Sequence, residues 1–282
     1  MQAYIQPQDI KLQVQAALDE DIGNGDLTAN LIPAEQNATA HILVRESAIV
    51  CGIDWVNACF TQVDTRVQID WLVTEGAHVK PKQVLCNITG PARALLSAER
   101  CALNFLQTLS ATATETEKYV KAVARTHAKI LDTRKTIPNL RLAQKYAVIV
   151  GGGLNQRLAL YDGILIKENH ITAAGSINAV MRKALALNTD KSIQIEVESL
   201  SQLEEALAAG ANSILLDNFS NQLLTEAVAI NQKYKKPAIL EASGGVDIES
   251  VRSIALTGVD RISVGSLTKN IHAIDLSMRI KM

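Results

Sequence analysis

From about residue 128 onward the sequence repeats one unit, and that repetition limits the folds open to it. Short apolar runs at 129–131, 163–166, 192–195, 213–216, 238–240 and 261–263 each end in polar or glycine-containing residues. Helical patterns at 176–187, 201–209, 222–233 and 248–256 separate the later runs. Strands of this length joined by amphipathic helices predict a parallel sheet with helices packed outside it. The common handedness of such crossovers favours closure toward an α/β barrel. The preceding part mixes strands and helices differently. The pattern predicts a helix over 9–20, strands within 38–50, 67–73 and 83–88, and a short helix at 53–60. Pro91 sits where a first-turn proline would open a long helix, whose apolar face runs through Leu95, Leu96, Cys101, Ala102, Phe105, Leu106 and Leu109. Arg100, Asn104 and Gln107 form a polar stripe on another face, suited to meeting a partner subunit. EDIGNGDLT reads as a structural turn, because the oxygen spacing of a calcium loop is missing, and EGAHVKPKQ reads as a hairpin turn. The expected division is 1–115, 116–270, and a C-terminal segment 271–282 packing back on the first domain.

Charge balance narrows the function classes. With 28 Lys and Arg against 29 Asp and Glu, the chain lacks the basic excess of a general nucleic-acid binder. Its four cysteines, Cys51, Cys59, Cys86 and Cys101, form no C-x-x-C pair and are expected as reduced, structural thiols in the cytoplasm. The opening MQAYIQPQDIKLQV lacks the charged and apolar regions of a secretory leader, and no apolar run is long enough to span a membrane.

Against that neutral background, cations gather in residues 132–170, where Arg134, Lys135, Arg157 and Lys167 all fall at turns or strand ends. Such a group predicts an anionic ligand. Ser243-Gly244-Gly245 and Val264-Gly265-Ser266 follow the last two strands, each leading toward a helix. Their glycine backbone and the helix dipole are suited to a phosphate. Glu196 and Asp217 end the two middle strands; they can pair with the nearby cations, or hold Mg²⁺ that keeps waters and phosphate oxygens. Each strand thus ends in a reactive or phosphate-friendly group at its carboxyl end, the catalytic face of barrel enzymes. No nucleophilic triad and no P-loop is present.

The segments SAERCALNFLQ, DTRKTIPNLR, KYAVIVGGGLNQR, LIKENH, EVE, LDNF, EASGG and DRISVGSLTK resemble, in order and over almost the whole chain, the quinolinate phosphoribosyltransferase family. That family comprises the decarboxylating nicotinate-nucleotide pyrophosphorylases of NAD biosynthesis. The resemblance implies an N-terminal α/β sandwich domain plus an incomplete, TIM-like α/β barrel, assembled as a homodimer. It implies transfer of phosphoribose from phosphoribosyl pyrophosphate to quinolinate, giving nicotinate mononucleotide, pyrophosphate and CO₂ with Mg²⁺. On this resemblance Thr133, Arg134, Lys135, Gln156, Arg157 and Lys167 line the substrate pocket, and Arg100 arrives from the partner subunit. Lys135, Lys167, Glu196 and Asp217 are the catalytic set; Glu196 and Asp217 face ribose and Mg²⁺, partly through water and pyrophosphate. Ser243, Gly244, Gly245, Val264, Gly265 and Ser266 take the 5′-phosphate. The chain departs from the family at Gln156, where histidine is usual, and at Ser110-Ala111-Thr112-Ala113-Thr114, where the family has S-G-I-A-T. Two rivals are the related protein found with molybdate transport and a silent sensor of a phosphorylated metabolite. The intact DTRKT and LIKENH segments and the pair Glu196 and Asp217 favour the enzyme.

Overall fold

The computed structural model describes residues 5–281; residues 1–4, the start of the segment scanned for a leader, and Met282, the end of the C-terminal segment, lie outside it. The chain divides into two compact units, one of residues 1–115, 137–152 and 270–282, the other of 116–136 and 153–269.

The first unit contains α1 (Pro7–Ile22), β1 (Asn37–Val44), β2 (Ala48–Ile49), α2 (Ile53–Val63), β3 (Gln68–Trp71), β4 (His78–Val79) and β5 (Val84–Pro91). It also holds the first turns of α3 (Ala92–Ala122), all of α4 (Arg141–Val150), and the final strand β12 (Leu276–Lys281). Proline at the first turn and the Asp9 carboxylate, which accepts from Gln6 N at 2.9 Å, start α1, and Ile10, Val14 and Leu18 form its buried stripe. β1 alternates cleanly: Ala38, Ala40, Ile42 and Val44 are buried and the residues between them are not. The sheet order is β12-β1-β5-β3, antiparallel throughout, so the C-terminal strand pairs directly with β1.

Three local expectations change here. Pro91 closes β5 rather than opening α3, because β1 holds it in register opposite Asn37. EGAHVKPKQ is more than a hairpin turn: His78–Val79 pairs with β2, and Glu75 caps α2 by accepting from Gly52 N and Ile53 N at 2.8 and 3.1 Å. Burial pushes that carboxyl's pKa up while these hydrogen bonds oppose the shift. In EDIGNGDLT the Asp26 carboxylate accepts from Thr28 N, Ala29 N and Ser97 Oγ, so this acid holds a turn together. α4, which the repeat pattern leaves inside the barrel span, buries Ala143 and Ala147 in the first core, with the Tyr146 and Trp55 ring centroids 5.6 Å apart. Its apolar stripe matches that core, and strand–helix alternation carries no information about which core a helix selects. The four cysteines are buried and unpaired by disulfide; burial pushes the Cys86 and Cys101 thiols up to about 12 and about 11.

The second unit holds β6 (Lys129–Leu131), β7 (Gly163–Ile166), β8 (Ser192–Val197), β9 (Ser213–Asp217), β10 (Ile239–Ser243) and β11 (Arg261–Ser263). They form a parallel six-stranded sheet in the order β6-β11-β10-β9-β8-β7, an incomplete barrel with β6 and β7 at its two ends. The helices are α5 (Glu168–Ala174), α6 (Ile177–Ala186), α7 (Leu200–Ala208), α8 (Asn221–Asn231), α9 (Val251–Leu256) and α10 (Ser266–Lys269). Ser176, Ser199 and Ser220 cap α6, α7 and α8 by accepting from Ala179, Gln202 and Leu223 N–H, each cap stabilising by about 1 kcal/mol. Period-two alternation sorts the strands: Ile130, Ile195, Val197, Ile214, Leu216, Leu240, Ala242 and Ile262 join the helices in the outer core. The other set faces the barrel interior: Gln194, Glu196, Leu215, Asp217, Glu241, Ser243 and Ser263.

Ile42 is fully buried at the centre of the first sheet. Ile42→Ala should lower unfolding free energy by about 2–5 kcal/mol in a urea titration, and a loss below about 1 kcal/mol would contradict this packing.

Candidate active site

The interior-facing series runs directly into the site. On β8, Gln194 is followed two residues later by Glu196; on β9, Leu215 by Asp217; on β10, Glu241 by Ser243. A two-residue step keeps the side chain on the same face and moves it toward the carboxyl end. Glu196 thus lies within β8 rather than beyond its end, and Asp217 is the last residue of β9.

Lys167 N-terminally flanks α5, and its Nζ pairs with Glu196 Oε2 at 2.5 Å. Lys135 follows a turn in which Thr133 Oγ1 accepts from Lys135 N at 3.1 Å, and Lys135 O accepts from Thr268 Oγ1 at 2.8 Å. Its side chain lies against Gly265, where an added Cβ would come within 3.2 Å of Lys135 Cδ. Arg157 Nη1 donates to Gly163 O at 3.0 Å, at the start of β7. Burial lowers the pKa of this guanidinium first, and the positive charge of Arg134 lowers it further, with Glu196 opposing both. The carboxyl of Asp217 is pushed up, first by burial and then by the negative charge of Glu196, with Lys167 and Lys135 opposing. Arg134, Lys135, Arg157, Lys167, Glu196 and Asp217 therefore share one field, in which like charges face each other on both the cationic and the acidic side.

Gly244 must be glycine: its φ is +102°, and a Cβ there would collide with the Asn218 side chain and lie 2.9 Å from Asn218 N. Asn218 itself has φ 57°; it donates through N to Ser243 O and through Nδ2 to Asp217 Oδ2, both at 2.9 Å. The N–H groups of Gly244, Gly245 and Gly265 meet no protein acceptor among the described residues, which leaves them as donors for an oxyanion. The expected helix dipoles need correction. α9 starts only at Val251, because the Asp247 carboxylate accepts from Glu249 N, Ser250 N and Ser250 Oγ and holds a turn in between. α10 has only four residues, and its Ser266 Oγ is 3.3 Å from Tyr119 Oη. This end therefore offers free backbone donors rather than the N-termini of long helices. Arg100 lies exposed on α3 in the first unit, beside Asn104 and Gln107.

Beneath the site lies a polar layer that the motifs do not announce. Asp132 is fully buried and accepts from Asn155 Nδ2 at 2.6 Å and Gln156 N at 2.9 Å. Gln156 Nε2 donates to Gln194 Oε1 at 2.7 Å, Gln194 Nε2 donates to Glu241 Oε2 at 2.9 Å, and Ser263 Oγ donates to Glu241 Oε1. The signal for Gln194 and Glu241 was present in the sequence: each is a polar residue at mid-strand with apolar residues on both sides.

Comparison with known proteins agrees with this architecture. The family model for the quinolinate phosphoribosyl transferase N-terminal domain matches residues 26–110, and that for the C-terminal domain matches 112–279. A probable nicotinate-nucleotide pyrophosphorylase of Bacillus subtilis is 41% identical over 264 residues, covering 93% of this chain and 90% of the relative. A nicotinate-nucleotide pyrophosphorylase of Mycobacterium leprae is 39% identical over 269 residues, covering 94% and 95%. The solved structure of the nicotinate-nucleotide pyrophosphorylase from Francisella tularensis superposes with a TM-score of 0.94 at 44% identity, covering 98% of both chains. The chain belongs to the quinolinate phosphoribosyltransferase family.

The raised pKa of Asp217 has a thermodynamic consequence. The native state keeps this proton to higher pH than the unfolded chain, so the ionised group opposes folding above its native pKa and ceases to do so below. Asp217→Asn should therefore raise Tm at about pH 7, and the gain should shrink toward about pH 4. Melting curves at the two pH values check this, and a lower Tm at the higher pH would refute it.

Proposed function

We propose that this chain transfers phosphoribose from phosphoribosyl pyrophosphate to quinolinate with loss of CO₂, yielding nicotinate mononucleotide and pyrophosphate for NAD biosynthesis. The observation that carries the reading is the gathering of Arg134 and Arg157 at one end of the barrel, where burial first and then the charge of Arg134 lower the pKa of Arg157. A dicarboxylate between them would convert that repulsion into charge-assisted hydrogen bonds contributing about 1.5–3 kcal/mol each. Membership of the family and the names of its relatives support the same substrate.

In this reading Arg134, Arg157 and Lys167 hold the two carboxylates, and Thr133 and Lys135 complete that end of the pocket. Gly244, Gly245, Gly265 and Ser266 offer backbone N–H groups to the 5′-phosphate, with Ser243 and Val264 fixing the two turns. Once both substrates are bound, the pyridine nitrogen attacks the anomeric carbon and pyrophosphate leaves. Glu196 and Asp217 stabilise positive charge developing on the ribose. The carboxylate next to the new bond then leaves as CO₂, the pyridinium takes up the electron pair, and the vacated carbon gains a proton. The protein chiefly orients the reactants and supplies preorganised charge.

The donor set fits Mg²⁺ of one kind only. No group of three or more potential metal ligands occurs among the described residues, so a cage made wholly of protein is not available. Asp217, whose proton affinity is raised by burial and then by the charge of Glu196, suits with Glu196 a cation that keeps waters and phosphate oxygens. Glu196 and Asp217 would hold it, and it would neutralise charge on the departing pyrophosphate. A homodimer in which Arg100 completes the partner's site, and a cytoplasmic location, belong to the same proposal. No helix of the described residues is long and apolar enough to cross a membrane.

Purified protein given quinolinate, phosphoribosyl pyrophosphate and Mg²⁺ should release CO₂ and form nicotinate mononucleotide; no product would sink the reading. Arg134→Ala should reduce kcat/KM by about 10²-fold or more with its melting curve little changed. Mixing inactive Arg100→Ala and Arg134→Ala subunits should restore activity, since one of the two sites in a mixed dimer is intact. No restoration after confirmed subunit exchange would remove Arg100 from the shared site.

A further inference from the structure

Gln194 stands outside every functional role assigned above, yet its side chain joins the buried acid of the barrel to the cationic loop. It is 5% exposed, on β8 two residues before Glu196. Its two amide ends are both engaged, Nε2 with Glu241 Oε2 at 2.9 Å and Oε1 with Gln156 Nε2 at 2.7 Å. We infer that Gln194 is a positioning residue for quinolinate binding: it fixes the amide of Gln156, and through Gln156 the place of Arg157.

The argument starts at Glu241. Both of its oxygens accept, one from Ser263 Oγ and one from Gln194 Nε2, in a fully buried position. With both oxygens accepting, each group that faces them must donate. Gln194 is obliged to turn its NH₂ toward Glu241 and therefore its carbonyl toward Gln156. That carbonyl in turn obliges Gln156 to present its NH₂. One buried acceptor thus sets the polarity of two amides in sequence, and hydrogen bonds in a low-dielectric interior reinforce each other.

Gln156 is held at a second point, its backbone N–H donating to Asp132 Oδ1 at 2.9 Å. Residue 156 cannot turn without breaking a bond to a buried acceptor. Arg157 is the next residue, and its guanidinium reaches Gly163 O while facing the charge of Arg134. Two repelling guanidiniums need a rigid mount, or they separate and the carboxylate clamp opens. Gln156 therefore serves the dicarboxylate by aiming its neighbour, rather than as a ligand in its own right.

The inference rests on the quinolinate reading, and one set of rate measurements separates the two. Gln156→Met, Gln194→Met and the double variant keep side-chain length and remove the amide link. Each single variant should raise KM for quinolinate about tenfold with kcat within about threefold, because a displaced Arg157 weakens ground state and transition state alike. The double variant should be no worse than the poorer single one, since both cut the same link. Losses that multiply in the double variant would mean that Gln156 meets the substrate independently, and would overturn the inference, as would an unchanged KM.

If Gln194→Met fails to fold, Gln156→His decides. At about pH 8 a neutral imidazole can still donate to Gln194 Oε1, so its KM should stay near wild type while that of Gln156→Met rises. Equal behaviour of the histidine and methionine variants would refute the positioning role. Wild-type turnover with unaffected variants defeats the positioning role alone. An inactive wild-type protein defeats the quinolinate reading and this inference with it.

Discussion

The constraint on which the second unit depends is the two-residue alternation of its parallel strands, because the two faces of this sheet serve incompatible ends. Parallel strands are commonly apolar on both faces. Here the outer face follows that habit, with Ile195, Ile214, Leu240 and Ile262 packed beneath the helices. The inner face carries Gln194, Glu241 and Ser263 at mid-strand, and Glu196, Asp217 and Ser243 nearer the carboxyl ends. A shift of one residue in any strand would put carboxylates into the apolar layer, so register and site are specified together.

Electrostatic opposition in the site follows from the same geometry. Strand ends converge, and residues that each accept solvent when apart come to face like charges, as Arg134 faces Arg157 and Glu196 faces Asp217. Such an arrangement lowers stability in the absence of a ligand and supplies differential binding when charge of opposite sign arrives. The polar layer beneath, from Asp132 through Gln156 and Gln194 to Glu241, keeps these groups from moving apart. It is fully hydrogen-bonded along its length, which is what makes a buried polar layer tolerable.

Much of this was legible in the chain. The six parallel strands were read from their apolar runs, and three of them, 129–131, 163–166 and 261–263, agree to the residue with β6, β7 and β11. Arg134, Lys135, Arg157, Lys167, Glu196 and Asp217 were singled out because they fall at turns or where strands end. The errors have physical causes. Pro91 was taken as a helix start because proline suits a first turn, but pairing with β1 overrode that preference. The phosphate turns were credited with helix dipoles because helical periodicity followed them, while Asp247 delays the first of those helices to Val251.

Local chemistry in the sequence determined where strands, helices and caps form, and which residues reach the catalytic end, because side-chain periodicity and strand polarity act over a few residues. It also determined the departure at Gln156. Only the tertiary structure decided that α4 packs in the first core, that β12 closes the first sheet, and that Gln156 meets Gln194 from 38 residues away. Those choices depend on which distant surfaces fit, and on a carboxylate, Glu241, that must find donors once water is excluded.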